Sequence, residues 1–289
     1  MLRRRKRVVL LAAVVAALAA FLVLATGASA GPITPESGGS QQAEDIDTLY
    51  RITLYIAIVI FLIVEGTLIW SLVRFRARRR GPEAVQIRGN TPLEVGWTVA
   101  AALILVVLTT VTFLYLADIE NPPPSGPNGL RADAAQFASI DQAPPPKSGG
   151  PTLTIDVNGQ QYIWRYDYPG KEQLFSYAEM VVPTDTTVVL EIESSDVIHS
   201  WWIPKLGGKA DAIPGYTNHT WFKISKPGVY RGQCAELCGE NHADMRAVVR
   251  AVSPDAFEAW ADRQANAIRA AQQGLAQQRK QREQTGGTQ

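Results

Sequence analysis

The chain has 289 residues, with 28 Lys and Arg against 27 Asp and Glu, a formal net charge of +1, and 46% hydrophobic residues. That balance excludes a nucleic-acid-binding chain, which would be strongly basic, and so high an apolar content excludes a disordered acidic chain. Two cysteines are too few for a disulfide framework, but they are enough for one bridge or one metal site.

The charges are segregated along the chain. Arg3, Arg4, Arg5, Lys6 and Arg7 precede an uncharged run over residues 8–25, and Ala28-Ser29-Ala30 follows. This is the layout of a secretory signal peptide over residues 1–30 with cleavage after Ala30, although the apolar run is also long enough for an uncleaved anchor. Residues 31–48 then form a short extracytoplasmic segment. Residues 52–73 and 93–117 each reach the roughly 20 apolar positions that a helix needs to cross a bilayer, which predicts a transmembrane hairpin over residues 49–118. The intervening loop sets Arg74, Arg76, Arg78, Arg79, Arg80 and Arg88 against the single acid Glu83, the composition of a cytoplasmic loop. With the leader cleaved or retained, everything beyond Asp118 is therefore placed outside.

Two acids in this region stand out. Glu65, inside the first span, is expected to face a neighbouring helix, because an ionisable group in hydrocarbon is costly. Glu94 begins the second span, three residues before Trp97. A carboxylate there is either a charge favoured by the helix N-terminus or the mouth of a proton path.

Residues 119–150 are rich in Pro, Gly, Ala and Ser and predict a surface linker with little regular structure. Short apolar and β-branched runs then recur at 153–157, 162–166, 179–182, 187–192, 197–203, 220–224, 229–233 and 246–252. They predict an antiparallel sandwich or barrel over residues 151–253. Ser253-Pro254 reads as an N-cap followed by Pro at the first helical position, so residues 254–289 form a helix with Phe257 and Trp260 on its apolar face. Beyond Ala265 the Ala-, Gln- and Arg-rich sequence has almost no apolar stripe, and a polar, frayed tail is expected.

The chemistry is concentrated in Cys234-Ala-Glu-Leu-Cys238-Gly-Glu-Asn-His242-Ala-Asp-Met245, one loop between two predicted strands. Two thiolates, an imidazole and a thioether are ligands that suit copper. Upstream, Asp196-Val-Ile-His199 adds a second imidazole, and the whole chain holds only three histidines. The third, His219, lies in a polar run and is expected to be solvated or hydrogen bonded. Several readings fit these residues. A tetrahedral zinc site leaves Met245 unused, a single blue-copper site leaves one cysteine unused, and two coppers bridged by both thiolates use every soft donor. A disulfide between Cys234 and Cys238 without metal is the remaining alternative.

The motif C-x-E-x-C-G-x-x-H-x-x-M, with the leader, hairpin, linker and sheet domain around it, resembles subunit II of the haem-copper cytochrome c oxidases over nearly the whole mature chain. The resemblance implies an all-β cupredoxin-like Greek-key sandwich preceded by a two-helix transmembrane hairpin. It implies a binuclear CuA centre bridged by Cys234 and Cys238, with His199 and His242 as terminal ligands. Met245 and the backbone carbonyl of Glu236 would be the weak ligands. The side chain of Glu236 would reach a magnesium ion shared with subunit I, and Glu94, in E-x-x-W, would mark a proton-path entrance. The chain would take electrons from cytochrome c and pass them to the haem of subunit I, in a complex with subunits I and III, in a bacterial plasma membrane with the copper domain on the extracytoplasmic side. Gly159 to Pro169 resembles the family's aromatic strand, where Tyr162 stands at the position that often carries the electron-accepting Trp and Trp164, Tyr166 and Tyr168 match. These rings either pack the sandwich or help to receive electrons. The missing-thiol quinol oxidases are disfavoured by Cys234 and Cys238, whereas a nitric oxide reductase with the same copper module, or a metal-free tethered domain, remain alternatives. Without its leader the chain carries acids in excess of Lys and Arg, which is compatible with a basic electron donor.

Overall fold

A computed structural model describes residues 33–76, 86–129, 152–170 and 174–286. The predicted leader, the centre of the interhelical loop and the later part of the linker lie outside these residues. The chain divides into two compact units, one of residues 47–117 and one of the residues on either side.

Helix α1 (Gln41–Arg74) and helix α2 (Thr91–Glu120) are both long and apolar enough to span a membrane. Their large apolar side chains are exposed around the helix, including Phe61, Leu72, Phe113 and Leu114. A helix apolar on every side belongs in lipid or against a partner. Arg74 and Arg76 follow the first span, with Phe75 edge-on to Trp70 at a centroid distance of 5.5 Å, and Arg88 precedes the second. The start of α2 is closed by reciprocal hydrogen bonds: Leu93 N donates to Asn90 Oδ1 at 3.3 Å, and Asn90 N donates to Glu94 Oε1 at 3.0 Å. Glu94 thus has a helix-capping role that also places a negative charge at the positive helix end.

In the second unit, two five-stranded sheets carry the core. Sheet one has the order β3-β2-β1-β5-β8 and sheet two the order β4-β10-β9-β6-β7, with β1 Leu153–Gln160, β2 Ile163–Asp167, β3 Phe175–Tyr177, β4 Glu179–Pro183, β5 Thr187–Ser194, β6 His199–Trp202, β7 Ala210–Ala212, β8 Asn218–Lys223, β9 Gly228–Cys234 and β10 Arg246–Val252. The architecture agrees with the expected cupredoxin-like sandwich. It differs from an antiparallel one in two places, because β1 pairs in parallel with β5 and β4 in parallel with β10. Strands β3 and β7 were not expected; each is three residues long, too short to show an alternating pattern.

Alternation explains the rest. Leu153, Ile155 and Val157 point inward from β1, as Val188, Leu190 and Ile192 do from β5. Trp164, Tyr166 and Tyr168 are buried among them, Trp201 stacks on Phe222 at 6.1 Å, and Tyr168 exchanges two hydrogen bonds with the backbone of Val181. The aromatic strand is therefore a core strand, and its rings pack the sandwich.

The first part of the Pro-rich linker has no regular structure, yet it is tied down. Asp185 accepts the N–H of Gly126 on its carbonyl at 2.7 Å and that of Asn128 on its side chain at 3.0 Å, and Trp221 Nε1 donates to Ile119 O at 2.8 Å. A Cβ on Gly126 would lie 2.0 Å from the Asp185 carboxylate, so a larger residue there would have to displace that side chain from the N–H of Asn128.

Helix α3 (Pro254–Gly286) starts as expected, with Ala256 N donating to Ser253 Oγ at 3.3 Å. Phe257, Ala261, Ala265 and Ile268 form its buried stripe, and Trp260 meets Tyr168 edge-on. The helix continues beyond the expected fraying point at Ala265 to Gly286, with Leu275 and its neighbours exposed. Its Ala, Gln, Arg and Lys residues are strong intrinsic helix formers, so an apolar face is not required.

Candidate metal centre

The second sheet brings the soft donors together. His199 opens β6, Cys234 closes β9, and Met245 immediately precedes β10. The loop between Cys234 and Met245 is closed at its base by Cys234 N donating to Met245 O and Ala235 N to Ser200 O, both at 2.9 Å. Its far side is a 3-10 turn over His242–Asp244. Between them Gly239 adopts φ +130°, a conformation that side-chain-bearing residues avoid.

Cys234 Sγ and Cys238 Sγ lie 3.9 Å apart, and both thiols are free and buried. A disulfide requires about 2.05 Å, so this geometry speaks against the bridged, metal-free alternative. One imidazole stands at each thiol: His199 Nδ1 is 3.9 Å from Cys234 Sγ, and His242 Nδ1 is 3.6 Å from Cys238 Sγ. Two further donors complete the cluster, with Met245 Sδ 3.9 Å from Cys238 Sγ and the carbonyl of Glu236 3.2 Å from Cys234 Sγ. His199, Cys234 and Cys238 form a buried group whose ligand atoms are close enough to share a metal. Six donors, four of them around the two central cysteine sulfurs, exceed what one tetrahedral zinc uses, and the softness of the sulfurs fits copper.

The protein also prepares the ligands. Asp196 Oδ1 sits 2.8 Å from His199 Nε2 and holds the ring proton there, which leaves Nδ1 to face the thiols. His199 has no exposed surface and is walled by Trp164, edge-on at 5.9 Å, and by Gly159, where a Cβ would come within 2.9 Å of the imidazole. Burial opposes the charge on Asp196, but the N–H of Gln161, the His199 ring and the N–H of Val197 outweigh it and hold the carboxyl at about 2. In the metal-free protein its contribution to stability is thus present above the unfolded carboxylate value near 4 and lost as pH falls towards 2.

Burial, and then the neighbouring Cys234, push the Cys238 thiol up to about 11. A thiol held this way keeps its proton until a cation displaces it. Copper uptake is therefore expected to release protons and to strengthen as pH rises, by about tenfold per pH unit for each proton displaced. Titrating copper affinity in weakly buffered solution between mildly acid and mildly alkaline pH checks this, and a pH-independent affinity contradicts it.

The chain matches two family models, "Cytochrome C oxidase subunit II, periplasmic domain" over residues 171–252 and "Cytochrome C oxidase subunit II, transmembrane domain" over residues 31–114. It is also 36% identical over 261 residues to cytochrome c oxidase subunit 2 of Thermostichus vulcanus, an alignment covering 79% of this chain and 77% of that one. The chain belongs to the cytochrome c oxidase subunit II family. Its apolar helices and the transmembrane match make it a membrane protein. Cytochrome c oxidase subunit 2 of Alkalihalophilus pseudofirmus is 32% identical over 223 residues, covering 76% of this chain and 59% of that relative's length. Among solved structures, the periplasmic domain of subunit II of the Bradyrhizobium japonicum cytochrome oxidase is 36% identical, covering 40% of this chain and 95% of that chain, with a TM-score of 0.39.

The other residues singled out in the sequence fall as follows. Tyr162 is half-buried beside the cysteine loop, and its hydroxyl accepts the N–H of Glu240 at 3.1 Å. Trp164 is fully buried behind His199 and out of reach of any docked protein. The side chain of Glu236 is exposed while its carbonyl faces the sulfurs, and His219 is exposed on β8. Asp196, Gln161, Gly159 and Gly239 were not anticipated as site residues. Two of them had a signal: Asp196 in its position three residues before His199, and Gly239 as the glycine that follows Cys238 in the motif.

Proposed function

We propose that this chain is the electron-accepting subunit of a respiratory cytochrome c oxidase. It takes electrons from cytochrome c at a binuclear CuA centre and passes them to the haem of subunit I, where oxygen is reduced to water. The observation that carries this reading is the pair of buried, unbridged thiols 3.9 Å apart with one imidazole Nδ1 beside each. Cys234 and Cys238 would bridge two coppers, with His199 and His242 as terminal ligands and Met245 and the Glu236 carbonyl as weak ones.

Bound there, a copper pair held by these residues would supply a one-electron carrier. The protein supplies rigidity and dryness. The thiols, His199 and Met245 are buried, so water does not reorganise around them, and strands β6, β9 and β10 fix their spacing. Of the two aromatic candidates for receiving electrons, Tyr162 is the one that reaches the surface, and Trp164 supports His199 from behind.

The arginines at the inner helix ends support a cytoplasmic loop. On this reading the copper domain lies on the extracytoplasmic face of a bacterial plasma membrane, in a complex with subunits I and III. The exposed Glu236 carboxylate suits a magnesium ion shared with subunit I, since hard cations prefer oxygen ligands.

Rapid mixing of the copper-loaded full chain in detergent with reduced cytochrome c tests the electron-transfer step. Oxidation of the cytochrome matched by reduction of the copper site is expected, and a cytochrome that stays reduced contradicts the reading. Glu94 is tested separately in the assembled complex. Glu94→Gln keeps an acceptor for the Asn90 N–H but cannot carry a proton, so it should preserve helicity and slow proton-coupled turnover by roughly tenfold or more if Glu94 is a proton donor or acceptor. Full turnover in Glu94→Gln would leave capping as its role.

A further inference from the structure

The metal-ligand loop belongs to the second sheet, but its apex is held by the first. The turn between β1 and β2, residues 161–162, lies over Cys238, Gly239 and Glu240. Gln161 Nε2 donates to Cys238 O at 2.6 Å, and the Tyr162 hydroxyl accepts the Glu240 N–H at 3.1 Å. The same turn is bonded to the other ligand segment, because Gln161 N donates to Asp196 Oδ2 at 2.7 Å while Asp196 Oδ1, a carboxylate acceptor, hydrogen bonds His199 Nε2 at 2.8 Å. A continuous path therefore runs from His199 through Asp196 and Gln161 to Cys238. Just before the turn, β1 is fastened to the residue after β5 by Ser195 N donating to Gly159 O at 3.1 Å.

Resting on the metal assignment above, we infer that Gln161, with Tyr162 and Asp196, is a positioning strap that holds the His199 segment and the cysteine loop at their metal-binding separation.

Two features of the sequence serve this arrangement. Gly239 is where the strap comes closest: a Cβ there would lie 2.6 Å from the Tyr162 hydroxyl and 3.0 Å from Gln161 Nε2. A larger residue would push the strap off the loop. The loop apex is otherwise open to solvent, with Glu236, Leu237, Gly239 and Glu240 all exposed. Its base bonds fix Cys234 and Met245, so Cys238 depends on Gln161 for its carbonyl contact outside the loop. The two ligand segments reach the strap through opposite ends of one residue, the backbone N–H and the side-chain amide of Gln161. Shortening or removing that amide frees Cys238 relative to His199 without touching a ligand.

The test is Gln161→Leu in the full chain in detergent. Leucine keeps the backbone N–H and much of the side-chain volume but cannot donate to Cys238 O. Copper loss to a chelator, the EPR hyperfine pattern and the midpoint potential are compared with wild type, and thermal unfolding of the metal-free protein controls for folding. Outer-shell partners of metal ligands typically alter affinity by 10- to 100-fold. Copper loss about tenfold faster, with an altered hyperfine pattern and potential, is expected. Wild-type copper with an indistinguishable Gln161→Leu overturns the strap alone, whereas a wild-type chain that binds no copper pair overturns the metal assignment as well. Should Gln161→Leu fail to fold, Tyr162→Phe carries the test by removing one hydroxyl: faster copper loss supports the strap, and an unchanged rate overturns it.

Discussion

Replacing Cys238 with serine is expected to abolish the copper pair and reduce cytochrome c oxidation by the assembled complex to background. Cys238 meets three other donors, as Cys234 does: it lies 3.9 Å from Cys234 Sγ and Met245 Sδ and 3.6 Å from His242 Nδ1. A serine hydroxyl is a hard, weakly acidic donor that does not bridge soft metals at neutral pH. The remaining Cys234, His199 and His242 have at most the donor set of a single copper. The change does not depend on unfolding. Serine is smaller than cysteine by little, and an unsatisfied buried hydroxyl costs about 1–3 kcal/mol. Copper analysis of the folded variant therefore separates loss of metal from loss of fold. Two coppers retained in Cys238→Ser would contradict the bridging role.

The second large effect is expected at Trp164. Its side chain is fully buried, contributes one of the largest volumes of the core, and forms the wall behind His199 at 5.9 Å. Trp164→Ala should cost about 3–5 kcal/mol, a fall in Tm of roughly 10–20 °C for a domain of this size. The cavity also releases His199, so copper retention should fall with stability. Trp164→Phe should be much milder. The indole Nε1 is buried without a hydrogen-bond partner, and removing an unpaired donor forfeits no bond. Chemical denaturation of both variants checks the pair. A Trp164→Ala variant within about 1 kcal/mol of wild type would contradict the packing role assigned to this ring.

Much of this molecule is legible before its structure. The membrane helices announce themselves by length and composition, and the long strands by alternation. The proposed copper donors are readable because five of the six, the Glu236 carbonyl among them, fall within one twelve-residue loop whose chemistry has few other uses; His199 is found because histidine is so rare here. What the sequence hides are relations across space. Parallel pairing of β1 with β5 depends on a crossover that no local pattern encodes. The fastening of the Pro-rich segment depends on Asp185, far along the chain. Glu94 reads equally as a dipole charge or a proton site, and only the bond from Asn90 N reveals the cap. The aromatic strand illustrates the limit best. Tyr162 and Trp164 are two residues apart, which on a regular strand would put both on one face; Tyr162 instead lies in the turn before β2, and burial assigns Trp164 to the core while the loop contact assigns Tyr162 to the rim. Gln161 carries no motif, and its importance follows entirely from reaching both Asp196 and Cys238.

Copper stoichiometry combined with EPR of the full chain decides between one metal and two. Two coppers per chain are expected and, after one-electron oxidation of the reduced site, a single unpaired electron with hyperfine coupling to both copper nuclei. One copper with coupling to a single nucleus, or no copper with Cys234 and Cys238 joined in a disulfide, would contradict the binuclear centre.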